Sequence, residues 1–179
     1  MRSADAREHN VLDAPAGVVD PEVGRWLAGW TDIRRATNAL LDEIPPEAID
    51  ADLGDGGDTL GTVLFHVADA EVFWIHRVFE GRSRDEAIEA LLTHQGRAGD
   101  DPLTHVTGET LAQHRERMDR VRASVVKVLA PLSNEDFNRI HVLVDQDVSA
   151  SWMLFHLIDH EWDHTVRIRE IRDAFRAKG

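Results

Sequence analysis

The sequence predicts an all-α protein built as a bundle of four long helices. Four long segments carry apolar residues at spacings of three and four, which is the repeat of a helix with one buried face. No segment alternates apolar and polar residues for long enough to form a sheet. A chain of 179 residues suits one core. We therefore expect a single domain at residues 20–179, after a flexible leader at residues 1–19.

The first two helices have clear ends in the sequence. Asp20 is a good N-cap, Pro21 fits the first helical position, and Pro45 stops the helix. The second helix is predicted over residues 58–80, after an acidic and glycine-rich loop. It is apolar around most of its circumference, so we expect it to be deeply buried. His76 lies roughly opposite the apolar face and is expected to be exposed.

A long connection separates the second helix from the third and is predicted to contain a short helix over residues 84–92. The third helix is expected to begin at the cap Thr107 and to end at Pro131. A short extended piece is predicted over residues 141–144. The last helix is predicted to start near Ser149 or Ser151 and to run to about Arg176. The connection of about 25 residues exceeds what antiparallel neighbours need, so one crossover is expected.

The composition excludes several classes of function. The chain has 33 Asp and Glu against 20 Lys and Arg, a formal net charge of −13, which argues against nucleic acid and anionic membrane surfaces as partners. No apolar stretch approaches the length of a membrane span, and the first twenty residues lack a signal-peptide core. We therefore expect a cytoplasmic protein. The absence of cysteine excludes disulfides, zinc–thiolate sites and a thiol nucleophile of the protein's own.

Three of the ten histidines, His156, His160 and His164, follow one another at four-residue spacing on the last helix. Two imidazoles placed one turn apart can reach the same metal ion, whereas the outer pair lie ~12 Å apart along the axis. Placed on a helical wheel, His160 and His164 fall inside the core-facing arc and His156 falls at its edge. Burying two imidazoles costs desolvation unless their nitrogens are satisfied, and a metal ion satisfies both. We therefore predict His160 and His164 as ligands.

A metal in the bundle core needs a further ligand from a facing helix, and His66 is the best-placed polar group on the second helix. Glu71 points into the same buried face, where it would either accept from a ligand imidazole or pair with an Arg. The simpler alternative for the whole set is a core of hydrogen-bonded imidazoles. His114 lies on the apolar stripe of the third helix and has the same two interpretations. The loop histidines are expected to be solvated, at positions His9, His94, His105 and His141.

The pentapeptide His160-Glu161-Trp162-Asp163-His164 also matches the H-E-x-x-H motif of zinc proteases, in which Glu is the general base. A five-residue match is weak on its own. The wheel also turns Glu161 away from the centre of the apolar stripe by ~80°, so a protease is not expected. Glu161 and Asp163 are kept as candidate catalytic bases for a metal-dependent hydrolase.

Two segments, Gly61–Trp74 and Ser151–Arg167, resemble the DinB/YfiT-like superfamily of metal-binding four-helix bundles. Its members carry a histidine in a similar apolar setting on the second helix and a late H-x-x-x-H, so the resemblance implies His66, His160 and His164 as the metal triad. It also implies an up-down-down-up bundle and frequent homodimers. Members often have Arg-Gly-Gln where this sequence has Thr165-Val166-Arg167.

Three functions are compatible with these residues. The first is a thiol-dependent S-transferase or isomerase, as the resemblance implies, in which zinc or nickel activates an exogenous low-molecular-weight thiol. The second is a metal-dependent hydrolase using the same triad. The third is a non-catalytic metal-binding or stress-response bundle. In each enzyme we expect a small-molecule substrate, with Trp74, Trp152 and His156 lining the cofactor or substrate pocket.

Overall fold

A computed structural model describes residues 11–82, 86–96, 101–143 and 146–177. Six α-helices lie in this part of the chain, and they include the four long helices that the sequence predicts. Their bounds are α1 Pro21–Leu41, α2 Leu60–Glu71, α3 Glu86–Glu89, α4 Leu111–Leu129, α5 Asn134–Asn138 and α6 Ala150–Arg176. A 3₁₀ turn, Pro46–Ala48, follows α1, and a π-helix, Val72–Phe79, continues α2. The strands β1, His141–Val142, and β2, Asp147–Val148, form a two-residue antiparallel ribbon.

The first and last long helices run parallel. Near their beginnings the ring of Trp26 meets that of Phe155, with centroids 6.4 Å apart. At the other end Arg172 on α6 pairs with Glu43, just after α1, at 3.1 Å. Residues later in α1 therefore contact residues later in α6. The directions of the two middle helices follow from their own contacts.

The second long helix runs antiparallel to α6. Its π-helical end places Trp74 5.3 Å from Trp152, which is near the start of α6. Just before its beginning, the carbonyl of Asp58 accepts a hydrogen bond from Arg167, in the later part of α6. Residues later in α2 therefore contact residues earlier in α6.

The two middle helices, α2 and α4, run parallel. Glu71 at the end of α2 pairs with Arg122 of α4. His76, five residues later in the π-helix that continues α2, contacts Ser124, two residues later in α4. Together the three helix pairs give the up-down-down-up order that the resemblance implies, so the all-α four-helix prediction is confirmed. The long connection from α2 to α4 supplies the crossover and contains the short helix α3. This helix ends at Glu89, before the predicted end at residue 92, while residues 84 and 85 of the prediction lie outside the described residues.

Capping residues explain where the long helices begin. The Asp20 carboxylate accepts from the backbone N–H of Glu22 at 2.8 Å, and the Ser149 hydroxyl accepts from that of Trp152 at 3.2 Å, as the sequence predicts. Thr59 caps α2 in the same way.

The predicted cap of the third helix, Thr107, is wrong. Gly108 follows it with φ +80°, a left-handed conformation that interrupts a helix. The helix instead begins after Thr110, whose hydroxyl accepts from the backbone N–H of Gln113 while the Gln113 side chain accepts from the backbone N–H of Thr110. This reciprocal capping box satisfies two backbone donors at once, which favours the later start.

The predicted exposure of His76 is also wrong, because the side chain is only 1% exposed. The reason is the π-helix, in which the N–H of Glu80 donates to the carbonyl of Ile75, five residues earlier. A π-turn holds more residues than an α-turn, so side chains beyond it rotate relative to the α-helical wheel. His76 is thereby turned against α4.

The core fills the space between the four long helices, and its largest fully buried side chains include Trp30, Phe65 and Phe137. The second helix is buried on nearly every side, as predicted. Residues 1–10 of the predicted leader, with His9, lie outside the described residues. Near the end of the predicted leader, the N–H of Val19 donates to the carbonyl of Ala130 and so joins this segment to the end of α4. In the described part of the chain no helix is both long and apolar enough to span a membrane.

Candidate metal centre

The three histidines that the sequence selects meet between α2 and α6. His66 is the one residue of α2 that is only partly buried. His160 and His164 lie one turn apart on α6 and are half-buried. The pair on α6 faces the single imidazole on α2, with ring centroids 4.7 Å (His160) and 5.0 Å (His164) from that of His66.

The Nε2 atoms of the three imidazoles converge. The Nε2 of His160 is 2.9 Å from that of His66 and 3.3 Å from that of His164. One nitrogen from each ring can be chosen so that all three lie within 4.8 Å of one another. The rings stand steeply to each other, at 65°, 76° and 85°, so the nitrogens point inward and the carbon edges point outward.

A family model described as the DinB superfamily matches residues 30–166, a span that contains all three histidines. The chain belongs to the DinB superfamily. No curated protein matches this chain. The resemblance noted in the sequence is therefore confirmed at the level of the superfamily.

The donor set of this DinB-superfamily chain fits a transition-metal ion. Two nitrogen ligands at about 2.0–2.1 Å from a tetrahedral ion lie about 3.3–3.4 Å apart. The separations of the His160 Nε2 from the other two Nε2 atoms, 2.9 and 3.3 Å, are close to this. A neutral imidazole has a single N–H, so a cluster of three facing nitrogens cannot be satisfied by donation alone. Three imidazoles also leave a fourth position for another ligand. His66, His160 and His164 could therefore hold a metal ion.

An aromatic wall continues from the triad along α6. The rings of His156 and Trp152 stack at 5.4 Å and 2°, and both stand edge-on to Trp74, at 5.2 and 5.3 Å. His156 lies 5.8 Å from the ring of His160 but does not belong to the converging set. Burial lowers the pKa of His156, and the nearby Asp159 only partly offsets this. The imidazole of His156 is thus neutral near pH 7 and serves as part of the wall.

A surface cleft of about 700 Å³ is lined in part by Trp152. Trp26 and Phe155 supply its apolar lining, and Arg25 and Asn138 supply polar groups. The three residues predicted to line a pocket thus lie together in one wall, and one of them, Trp152, also lines this cleft.

The two candidate bases do not lie together. Asp163 is exposed on the outer surface of α6. Glu161 is 1% exposed and lies in the bundle core, not beside the apolar stripe as the wheel indicates. Buried Leu154 and Thr165 widen the core face of α6, which places Glu161 near its middle.

Glu161 belongs to a buried network that takes one charged side chain from each long helix. Its carboxylate accepts from Arg34 Nε at 2.7 Å and from Arg122 Nη2 at 2.6 Å. Glu71 accepts from the same two guanidinium groups, at 2.8 Å from Arg34 and 2.6 Å from Arg122. Of the two interpretations of Glu71, the structure thus shows the pairing with Arg. Arg122 also lies 3.4 Å above the ring of Trp30.

This network has equal numbers of positive and negative groups. Burial by itself raises the pKa of Glu161, but the positive charges of Arg34 and Arg122 lower it by more than burial raises it. The net pKa is below that of an ordinary Glu, so the group is an ionised carboxylate. Burial likewise lowers the pKa of Arg34, and Glu71 and Glu161 outweigh it. The sequence reasoning missed both arginines. The available signal was a charged residue at a core position of a helix, such as Arg122 four residues after the buried Met118.

Proposed function

We propose that the chain is a metal-dependent enzyme in which His66, His160 and His164 hold zinc, with nickel as the alternative, and activate a low-molecular-weight thiol. The reaction would be an S-transfer or isomerisation of a small molecule. The observation that carries the proposal is the convergence of three Nε2 atoms from two helices.

In this proposal the histidines hold the metal and the neighbouring aromatic residues bind the ligand. A metal held by three imidazoles would supply an electrophilic centre that lowers the pKa of a bound thiol or water. The rigid helices α2 and α6 hold the three imidazoles in place. Trp74, Trp152 and His156 form the neighbouring wall, which excludes water on one side and offers flat apolar surfaces to a ligand.

A thiol is favoured over water as the activated group. The chain has no cysteine, so a thiol would come from a small molecule. A hydrolase of the H-E-x-x-H type needs Glu161 as a base, yet its carboxylate accepts from two guanidinium groups inside the core. A thiol loses its proton more readily than water and needs no such base. Asp163 remains the candidate base of the hydrolase alternative, at the outer surface of α6.

Metal analysis of the protein purified without a chelating tag tests the site. We expect a stoichiometric transition-metal ion, lost in His160→Ala and His66→Ala. The matched control is His156→Ala, on the same helix and one turn away, which should keep the metal. If all the proteins lack metal after incubation with zinc and nickel, the imidazoles are core hydrogen-bonding groups. If His156→Ala is the variant that loses metal, the assignment of ligands on α6 is wrong.

Cobalt substitution separates a thiol ligand from water. Titrating the cobalt protein with 2-mercaptoethanol and with glutathione should produce a thiolate-to-metal absorption band if thiols bind there. A cobalt protein whose spectrum changes only with pH would support the hydrolase. A protein whose helices melt when the metal is removed would support the third, structural alternative.

We also propose that the protein is a cytoplasmic homodimer. Phe155, Trp162 and Val166 are each about half exposed on one side of α6. An apolar patch of this kind on a helix is typical of a surface that a partner covers. Size-exclusion chromatography with light scattering should show a dimer for the parent protein and a monomer for Trp162→Lys, and a parent monomer would refute the dimer.

A further inference from the structure

The buried imidazole of His76 links two other polar side chains. Its Nδ1 is 2.6 Å from Oε2 of Glu80, four residues later at the end of the π-helix, and its Nε2 is 2.8 Å from Oγ of Ser124 on α4. The π-helix makes this arrangement, because it turns His76 toward α4. A serine, an imidazole and a carboxylate joined in this order are the parts of a nucleophilic catalytic triad.

The three groups line a cleft of about 520 Å³ between the π-helix and α4. The site is therefore open to a small molecule, although the imidazole itself is covered. Phe79, Val128 and Leu132 give the cleft an apolar lining, and Lys127 and Arg82 add positive charge. This cleft does not include the histidines of the candidate metal centre.

We infer that Ser124, His76 and Glu80 form a second active site, a serine esterase centre that hydrolyses small carboxylic esters with an apolar acyl group. The hydrogen bond to Glu80 fixes the proton of His76 on Nδ1, which leaves Nε2 as an acceptor facing Ser124. Arg82 contacts the other carboxylate oxygen of Glu80 at 3.0 Å and holds that carboxylate in position.

The serine hydroxyl has one proton and two acceptors within reach. Its Oγ lies 2.7 Å from the carbonyl oxygen of Val121 as well as 2.8 Å from Nε2 of His76. Rotation about the Cβ–Oγ bond directs the proton from the carbonyl to the imidazole. With the proton directed to the imidazole, the hydroxyl is ready to act as a nucleophile.

The reaction follows from these positions. Ser124 Oγ forms a bond to the ester carbonyl carbon while its proton moves to Nε2 of His76, and Glu80 stabilises the imidazolium. Lys127, one turn after Ser124 and lining the same cleft, provides positive charge for the oxyanion. Collapse breaks the bond to the alcohol oxygen, which takes the proton from His76. Water then repeats the sequence on the acyl-serine, releases the carboxylic acid and restores the hydroxyl.

The apolar lining decides the substrate class. Phe79, Val128 and Leu132 can cover an aliphatic acyl chain, whereas a charged acyl group would lose solvation against them. We therefore choose p-nitrophenyl butyrate as the reporter substrate and a fluorophosphonate as the covalent probe. The serine oxygen attacks the phosphorus of the fluorophosphonate and fluoride leaves, so the covalent adduct marks the nucleophile directly.

The test is covalent labelling of the full chain followed by peptide mass spectrometry. We expect a single adduct on Ser124, none in Ser124→Ala, and labelling slowed on the order of 10²-fold in Glu80→Gln. The amide in Glu80→Gln keeps the shape but can donate to Nδ1, which moves the imidazole proton to Nε2 and removes the base. Hydrolysis of p-nitrophenyl butyrate should fall in parallel in both variants.

Ser151 is the control within the same molecule, since it lines the other cleft and has Ser149 as its hydroxyl partner in place of an imidazole. Circular dichroism confirms that each variant is folded. Labelling should persist in excess chelator, which separates this site from the metal centre. No adduct on the folded parent, an adduct at Ser151, or an unchanged rate in Glu80→Gln would each overturn the inference and leave His76 as a buried hydrogen-bonding residue.

Discussion

The substitution Glu161→Gln tests the network of four charges at the centre of the bundle. The carboxylate accepts from Arg34 at 2.7 and 3.3 Å and from Arg122 at 2.6 Å, and it is 1% exposed. The amide keeps one acceptor but turns an NH₂ group toward guanidinium donors, and it leaves two arginines facing Glu71 alone. Breaking one partner out of a buried pair costs about 3–5 kcal/mol. For a chain of this size that corresponds to a drop in Tm of roughly 6–20 °C.

Urea denaturation followed by circular dichroism measures the loss of unfolding free energy. The matched control is Glu116→Gln on the surface of α4, whose partner Arg120 lies 3.9 Å away in an exposed pair, and it should not differ from the parent. The neutral double variant Arg34→Met with Glu161→Leu should be less destabilised than Glu161→Gln, because it leaves no unbalanced charge. A loss below about 1 kcal/mol in Glu161→Gln would refute the assignment of a tightly coupled network.

Three further predictions concern pH, capping and the metal. Burial and Arg117 lower the pKa of His114 to about 4, below the 6.5 of an ordinary imidazole, so the unfolded chain binds a proton that the folded chain does not. Stability should therefore fall as pH decreases from about 6.5 to 4, and urea titrations of His114→Gln should show a flatter profile in that window. Thr110→Ala should cost about 1 kcal/mol in urea denaturation by removing the capping box, whereas Thr107→Ala, at the cap position that the structure excludes, should cost nothing measurable. If the triad holds the proposed metal, its removal with a chelator should lower Tm but leave the circular dichroism spectrum helical, since the triad lies beside the apolar core. Loss of the helical spectrum would contradict this.

The helices and the histidine triad follow from local features of the sequence. Apolar spacing marks the core face of α6, and this is enough to prefer His160 and His164 over His156, because one turn of a helix has the same geometry everywhere. Caps such as Asp20 and Ser149 act on backbone groups within three residues, so they too can be identified without knowing the fold.

The partners of the buried charges depend on the tertiary structure. Arg34 and Glu161 are 127 residues apart in the chain, and no periodicity relates them. The sequence reasoning passed over Arg34 and turned Glu161 away from the apolar stripe. Whether a buried carboxylate serves as a base, an acceptor or an ion-pair partner depends on what the facing helix presents.

The position of His76 also depends on the tertiary structure and not on local sequence alone. The sequence of α2 and its continuation predicts one regular helix, and an α-helical wheel turns His76 to the solvent. The packed structure instead contains a π-helix over Val72–Phe79, which turns this imidazole onto Ser124. The sequence by itself determined four amphipathic helices and the histidines that share a face, since these depend on spacing within one helix. Only the packing of α2 against α4 and α6 decided which helical turn widens and which buried charges meet, since these depend on residues far apart in the chain.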